Sequence, residues 1–200
     1  MTNPVHDTSL AVWDIAPTVA GEITSLKVGA KSSAGCALNG RRIEVIDGDA
    51  VVASGILGET PWPGSSALFW TEIEMRAPTR LGAVALAVRF EPIVSDQPHR
   101  GAILQFHVSV VAKPEHTLTV KVMADGAPIE EAHIRLGPYR AITDGSGMAQ
   151  VKMAKGVYEL VVWKAGYDML ATPITIGANA TISVEARALP ENDPDSVWTG

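Results

Sequence analysis

The chain has 200 residues, 46% of them hydrophobic and 19% charged, with a formal net charge of −6. A chain of this length can bury one large or two ordinary cores, and its composition excludes a disordered or low-complexity protein. The negative balance and the lack of any Lys/Arg run exclude general binding to nucleic acid or to anionic membrane surfaces, both of which need clustered cations.

The amino-terminal stretch MTNPVHDTSLAVWDIAP carries neither a positive n-region nor a long apolar h-region, so no secretory signal is expected. No apolar run is long enough to insert across a bilayer as a helix. Cys36 is the single cysteine and can form no internal disulfide, which points to a reducing compartment and makes the cytoplasm the expected location. An extracytoplasmic site is the alternative if a leader has been removed. The 13 prolines and 18 glycines are spread along the chain, as many short strands joined by tight turns require.

In chain order, residues 1–11 read as a polar N-terminal arm that docks at Val12-Trp13. Strands are expected over Glu22–Ala30 and Arg41–Ile46, the latter joined through Asp47-Gly48 to a strand over Ala50–Leu57, since Asp-Gly between two alternating runs favours a hairpin. The segment Gly58–Gly64 is too rich in Pro and Gly for a central strand. Ala67–Met75 follows, with Phe69, Thr71, Ile73 and Met75 as its expected core face. Over Ala83–Phe90 the expected core face is Val84, Leu86, Val88 and Phe90. With Ala102–Val111 this gives about seven strands over 12–112, the number and spacing of an immunoglobulin-like sandwich.

Lys113-Pro114-Glu115-His116 is the expected domain boundary, because Pro ends the preceding strand and charged residues tolerate solvent. Beyond it the alternation restarts. Leu118, Val120 and Val122 share one face, and Ala132, Ile134 and Leu136 share another. Three strands and two turns follow in Tyr139–Tyr167, then strands over Met169–Ile176 and Ala180–Ala186. No helical period persists, so the expected fold is all-β, as two tandem β-sandwich domains. Residues 190–200 form an acidic tail that carries Trp198.

The stretch Tyr139–Tyr167 holds Thr143, Asp144 and Gly147 in a T-D-x-x-G turn, then Gly156 and Tyr158, then Gly166-Tyr167. It resembles the carboxypeptidase regulatory-like module, a transthyretin-like β-sandwich. The resemblance covers 115–189 and implies a scaffold in which Asp144, Gly147, Gly156 and Gly166 are structural turn residues. The zinc of that module's parent proteins belongs to a separate catalytic domain. A transthyretin-like enzyme, 5-hydroxyisourate hydrolase, is recognised by a Tyr-Arg-Gly-Ser carboxyl terminus. Tyr139-Arg140 here is internal, so that activity is not expected.

The five histidines, His6, His99, His107, His116 and His133, show no short metal-ligand spacing, and no metal or cofactor is expected. Cys36 lies in a Ser/Ala/Gly loop with no base beside it in sequence, and reads as a packed or idle thiol. No nucleophile elbow, phosphate loop or dinucleotide fingerprint occurs, so no enzyme activity is expected. Trp70 and Trp163 read as packing residues. Trp62, Tyr139 and Trp198 are candidate interaction residues on a loop, beside a proline and in the tail. The expected function is a non-catalytic accessory or structural protein that binds a protein partner or assembles with itself, as a subunit of a larger (enzyme) complex. The alternative is a carbohydrate or small-ligand module that uses its loop aromatics.

Overall fold

In the computed structural model, residues 4–168 and 170–189 are described. They form strands and no helix, so none of them builds a helix long and apolar enough to cross a membrane. The chain is all-β. It divides into two compact units, Met1–Ala112 and Lys113–Gly200. The acidic tail 190–200 with Trp198, and Met169, lie outside the described residues.

Unit 1 is a two-sheet sandwich. Strands β1 (Thr8–Trp13), β3 (Ile23–Ser32) and β6 (Phe69–Arg76) form a three-stranded antiparallel sheet in the order β1-β3-β6. Strands β2 (Thr18–Val19), β4 (Arg42–Asp47), β5 (Ala50–Ile56), β7 (Gly82–Phe90) and β8 (Ala102–Val111) form the second, in the order β2-β8-β7-β4-β5. The β7–β8 ladder runs unbroken from Gly82↔Val110 to Phe90↔Ala102. Period-two alternation sends Val84, Leu86, Val88 and Phe90 of β7 inward, against Leu26 and Val28 of β3 and Ile73 and Met75 of β6. All are buried, and each aliphatic side chain contributes about 1.5–3 kcal/mol of transfer free energy.

The expected N-terminal arm includes part of a strand, from residue 8 onward. Thr8–Ala11 belong to β1, which pairs with β3 from Thr8↔Ser32 to Trp13↔Lys27. TSLAVW is short and follows Pro4, so its alternation is easily read as polar chain. As an edge strand it needs only one apolar face.

Unit 2 holds a sheet in which β9 (His116–Ala124) pairs with β10 (Ala127–Pro128), with β13 (Met148–Met153) and, in parallel, with β16 (Ala180–Glu185). A second sheet has the order β12-β11-β14-β15, from β11 (His133–Leu136), β12 (Tyr139–Ile142), β14 (Gly156–Trp163) and β15 (Leu170–Ile176). Leu118, Val120, Val122, Ile134, Leu136, Leu160 and Val162 form its core.

The Thr143–Gly147 turn fastens these strands. Buried Thr143 donates its hydroxyl to Ile129 O at 2.7 Å and accepts the Ala132 N–H at 2.8 Å. Asp144 Oδ1 accepts from the Ser146 hydroxyl at 2.6 Å and from the N–H groups of Ser146 and Met148. Gly147 sits at φ 73°. A Cβ there would stand 2.6 Å from Val122 O and 2.9 Å from Pro128 Cβ. Gly166 adopts φ 84°, whereas Gly156 keeps an ordinary φ and lies under the ring of Tyr158.

Two predictions follow from this turn. Gly147→Val should destabilise unit 2 by about 2–4 kcal/mol and lower its unfolding midpoint by about 10 °C or more. Gly177→Ala, in open space at an ordinary φ, should leave the midpoint nearly unchanged. Calorimetry on both variants checks this, and an unshifted Gly147→Val would refute the turn's geometry. The Asp144 carboxylate is held below its ordinary pKa of 3.8, first by the Ser146 hydroxyl and then by the Met148 and Ser146 N–H groups. Its stabilisation is therefore full above that ordinary value and lost as pH falls through the lower folded pKa. Asp144→Asn should be less stable than the parent at neutral pH, with the gap closing in strong acid, as denaturant titrations across pH will read.

Candidate functional site

Three loops of unit 1 bring His6, Cys36 and His99 together. His6 precedes β1, Cys36 lies in the loop after β3, and His99 lies in the loop between β7 and β8. Backbone hydrogen bonds fix the convergence. His6 N–H donates to Pro98 O and Arg100 N–H to His6 O, each at 2.9 Å, while Ile93 and His99 exchange two bonds of 3.0 Å. Ser33 N–H donates to Asp7 O at 2.9 Å, and Gly35, at φ 72°, turns the Cys36 loop.

Within this frame His6 Nδ1 stands 3.3 Å from Cys36 Sγ. The rings of His6 and His99 meet edge to face, with centroids 5.1 Å apart. His99 is buried, at 4% exposure, whereas His6 and Cys36 are half-buried. One ligand atom from each of the three lies within 4.8 Å of the others. His99 Nδ1 faces Gln97 O at 2.8 Å, which accepts its proton, and Nε2 accepts from Ser32 Oγ at 3.0 Å. Cys36 thus does have a base beside it. Linear spacing hides the group, because its members come from residues 6, 36 and 99 of the chain.

A second polar-aromatic group lies on the β1-β3-β6 sheet. Trp62 is packed edge to face on Trp13 at 5.0 Å and on Trp70 at 4.9 Å, and Lys27 Nζ stands 5.5 Å from its ring centre. Lys27 pairs with Asp14, whose hydrogen bond first and charge second hold the ammonium above its ordinary pKa. Gly29 makes room for the cluster, since a Cβ there would stand 3.2 Å from Trp13 Cη2 and 3.0 Å from Leu68 Cδ1. Each of the three indoles is half-buried.

Tyr139 is placed in the core of unit 2, at 8% exposure, with its ring against Tyr158 and its hydroxyl accepting the Ala154 N–H at 3.4 Å. It offers no open ring to a ligand. Trp163, expected as a packing residue, is instead 46% exposed. It alternates with buried Leu160 and Val162 and so falls on the outer face of β14. There it lies opposite His133, which in turn faces Ile142, 56% exposed, on β12. The next cross-strand row holds Arg140, Arg135 and Val161. Arg140 folds back onto the carbonyls of Gly137 and Tyr139, while exposed Arg135 has no ion-pair partner among the described residues. These residues line an open groove on the sheet face.

No protein-family model matches the chain, and no curated protein does. Similar solved structures include a type II cohesin–X-dockerin complex from Acetivibrio cellulolyticus, 18% identical over 36% of this chain and 58% of that one, with a TM-score of 0.34. The major pilin subunit BcpA of Bacillus cereus is 10% identical over 90% of this chain and 70% of that one, with a TM-score of 0.33. A marsupial T cell receptor is 10% identical over 88% and 99%, with a TM-score of 0.37. Likeness this distant bears on neither ligand nor activity.

Whether Trp62 is a packed ring or a free platform is open to direct measurement. Trp62→Ala removes two edge-to-face pairs and a cation–π contact, and should destabilise unit 1 by about 1–3 kcal/mol in denaturant titrations. An unchanged midpoint would mark Trp62 as a ring held for a ligand.

Proposed function

We propose that the chain is a non-catalytic protein-binding module, an accessory or structural subunit of a larger assembly. Its docking surface is the outer face of the β12-β11-β14-β15 sheet. The observation that carries this reading is the exposed row Ile142–His133–Trp163 beside Arg135. Solvent-exposed aromatic and aliphatic side chains on neighbouring strands gain free energy only when another surface covers them. Trp and Arg are also the side chains that most often dominate binding energy at interfaces.

Charge selects the occupant. Arg140, opposite Arg135 in register, is satisfied by the carbonyls of Gly137 and Tyr139, whereas exposed Arg135 has no carboxylate partner among the described residues and would take one from a bound segment. The partner segment is therefore apolar and acidic, with a hydrophobic residue against Trp163 and a carboxylate on Arg135. The T-D-x-x-G turn and the Gly166-Tyr167 element support a finer reading of unit 2 as a carboxypeptidase regulatory-like scaffold. The single thiol supports a reducing compartment such as the cytoplasm. The carbohydrate alternative rests on Trp62, since Tyr139 is buried.

The test compares the full chain with Trp163→Glu/Arg135→Glu, each purified from source cells and examined by native mass spectrometry. The parent should carry a stoichiometric protein partner, and the double variant should lose it by at least about thirtyfold in affinity with its unfolding midpoint unchanged. A partner retained by the variant, or a parent that is bare and monomeric, would contradict the proposal.

A further inference from the structure

The geometry points to a second site, independent of the sheet face: we propose that His6, Cys36 and His99 bind a transition-metal ion, with Zn²⁺ as the fitting probe. Two imidazoles and a thiol are nitrogen and sulfur donors, which favour zinc, cobalt or copper and are poor ligands for magnesium or calcium. Metal–ligand bonds of about 2.0–2.3 Å place neighbouring donor atoms of a tetrahedral zinc about 3.3–3.7 Å apart. His6 Nδ1 and Cys36 Sγ are already at 3.3 Å, and the donor atoms of all three residues lie within 4.8 Å of one another. Side-chain rotations of about an ångström close the site.

The hydrogen bonds of His99 suit a ligand. Its Nδ1 proton is committed to the Gln97 carbonyl at 2.8 Å, which fixes the tautomer and leaves the Nε2 lone pair available. A ligating histidine ordinarily has this outer partner, which sets the ring's orientation and strengthens the donor. The Ser32 hydroxyl now on Nε2 also accepts the Ala34 N–H, so it stays anchored when it yields that nitrogen to a metal. A thiol–imidazole dyad would need only His6. The second imidazole, buried and held edge-on to the first, has a role in coordination that it lacks in a dyad.

With three protein ligands the ion keeps one coordination position for solvent or for a donor from another molecule. The frame is rigid where it matters, because His6 and His99 are joined through backbone bonds to Pro98 and Arg100. Little ordering is left to oppose metal binding.

The experiment uses the untagged, reduced full chain after chelator treatment. Calorimetric titration should find one equivalent of Zn²⁺, and Co²⁺ should give a thiolate-to-metal charge-transfer band. Cys36→Ala and His6→Ala should each weaken zinc binding at least about tenfold, and Cys36→Ala should abolish the cobalt band. Their metal-free unfolding midpoints should stay near that of the parent. His107→Ala, exposed on β8 opposite Ala85 and outside the group, should change nothing. As a readout that does not depend on comparing variants, Zn²⁺ should slow alkylation of Cys36 by iodoacetamide in the parent. Absent zinc binding, equal binding by parent and Cys36→Ala, or a cobalt spectrum without the thiolate band would overturn the proposal.

Discussion

The amino-terminal segment of unit 1 is held in register by backbone hydrogen bonds from residue 6 to residues 98 and 100, and from residue 7 to residue 33. The meeting of His6, Cys36 and His99 depends on this clamp. Without it His6 would be a solvated side chain and Cys36 a thiol in a loop of small residues. With it, two imidazoles and the thiol meet beside the buried Ser32 hydroxyl. The clamp also continues into β1, whose pairing with β3 closes the three-stranded sheet and sets Trp13 beside Trp62 and Trp70.

A different division of labour governs unit 2. Its most recognisable residues, Thr143, Asp144 and Gly147, are spent on hydrogen bonds and on a left-handed turn that a side chain would clash with. They hold the strands. The residues proposed for docking lie elsewhere, on the outer face of the four-stranded sheet. There a tryptophan, an isoleucine and an arginine without an ion-pair partner among the described residues lie within two cross-strand rows. A β-sheet with one face in the core and the other in solvent can carry such a surface without changing its interior, because the two faces belong to alternate residues.

This separation explains which features can be read from the chain alone. Strand parity is legible: the faces Val84–Phe90 and Leu118–Val122 alternate cleanly, and all their apolar members are buried. The position of Trp163 was open to the same reasoning, since it shares parity with Glu159. The density of Val and Trp in that strand suggests a core more strongly than its period does. Tyr139, beside Pro138, gives no local sign that its hydroxyl will meet the Ala154 backbone. The His6–Cys36–His99 group is illegible in principle from spacing. Metal motifs recognised by short intervals come from one turn or hairpin, whereas this group is assembled from three loops by the fold itself.

Loop convergence thus builds the His6–Cys36–His99 group, and X-ray absorption at the zinc edge of the zinc-loaded full chain measures it most directly. One sulfur at about 2.3 Å and two imidazole nitrogens at about 2.0 Å around the ion are the predicted shell. A shell of oxygen and nitrogen alone, without sulfur, would contradict coordination by Cys36.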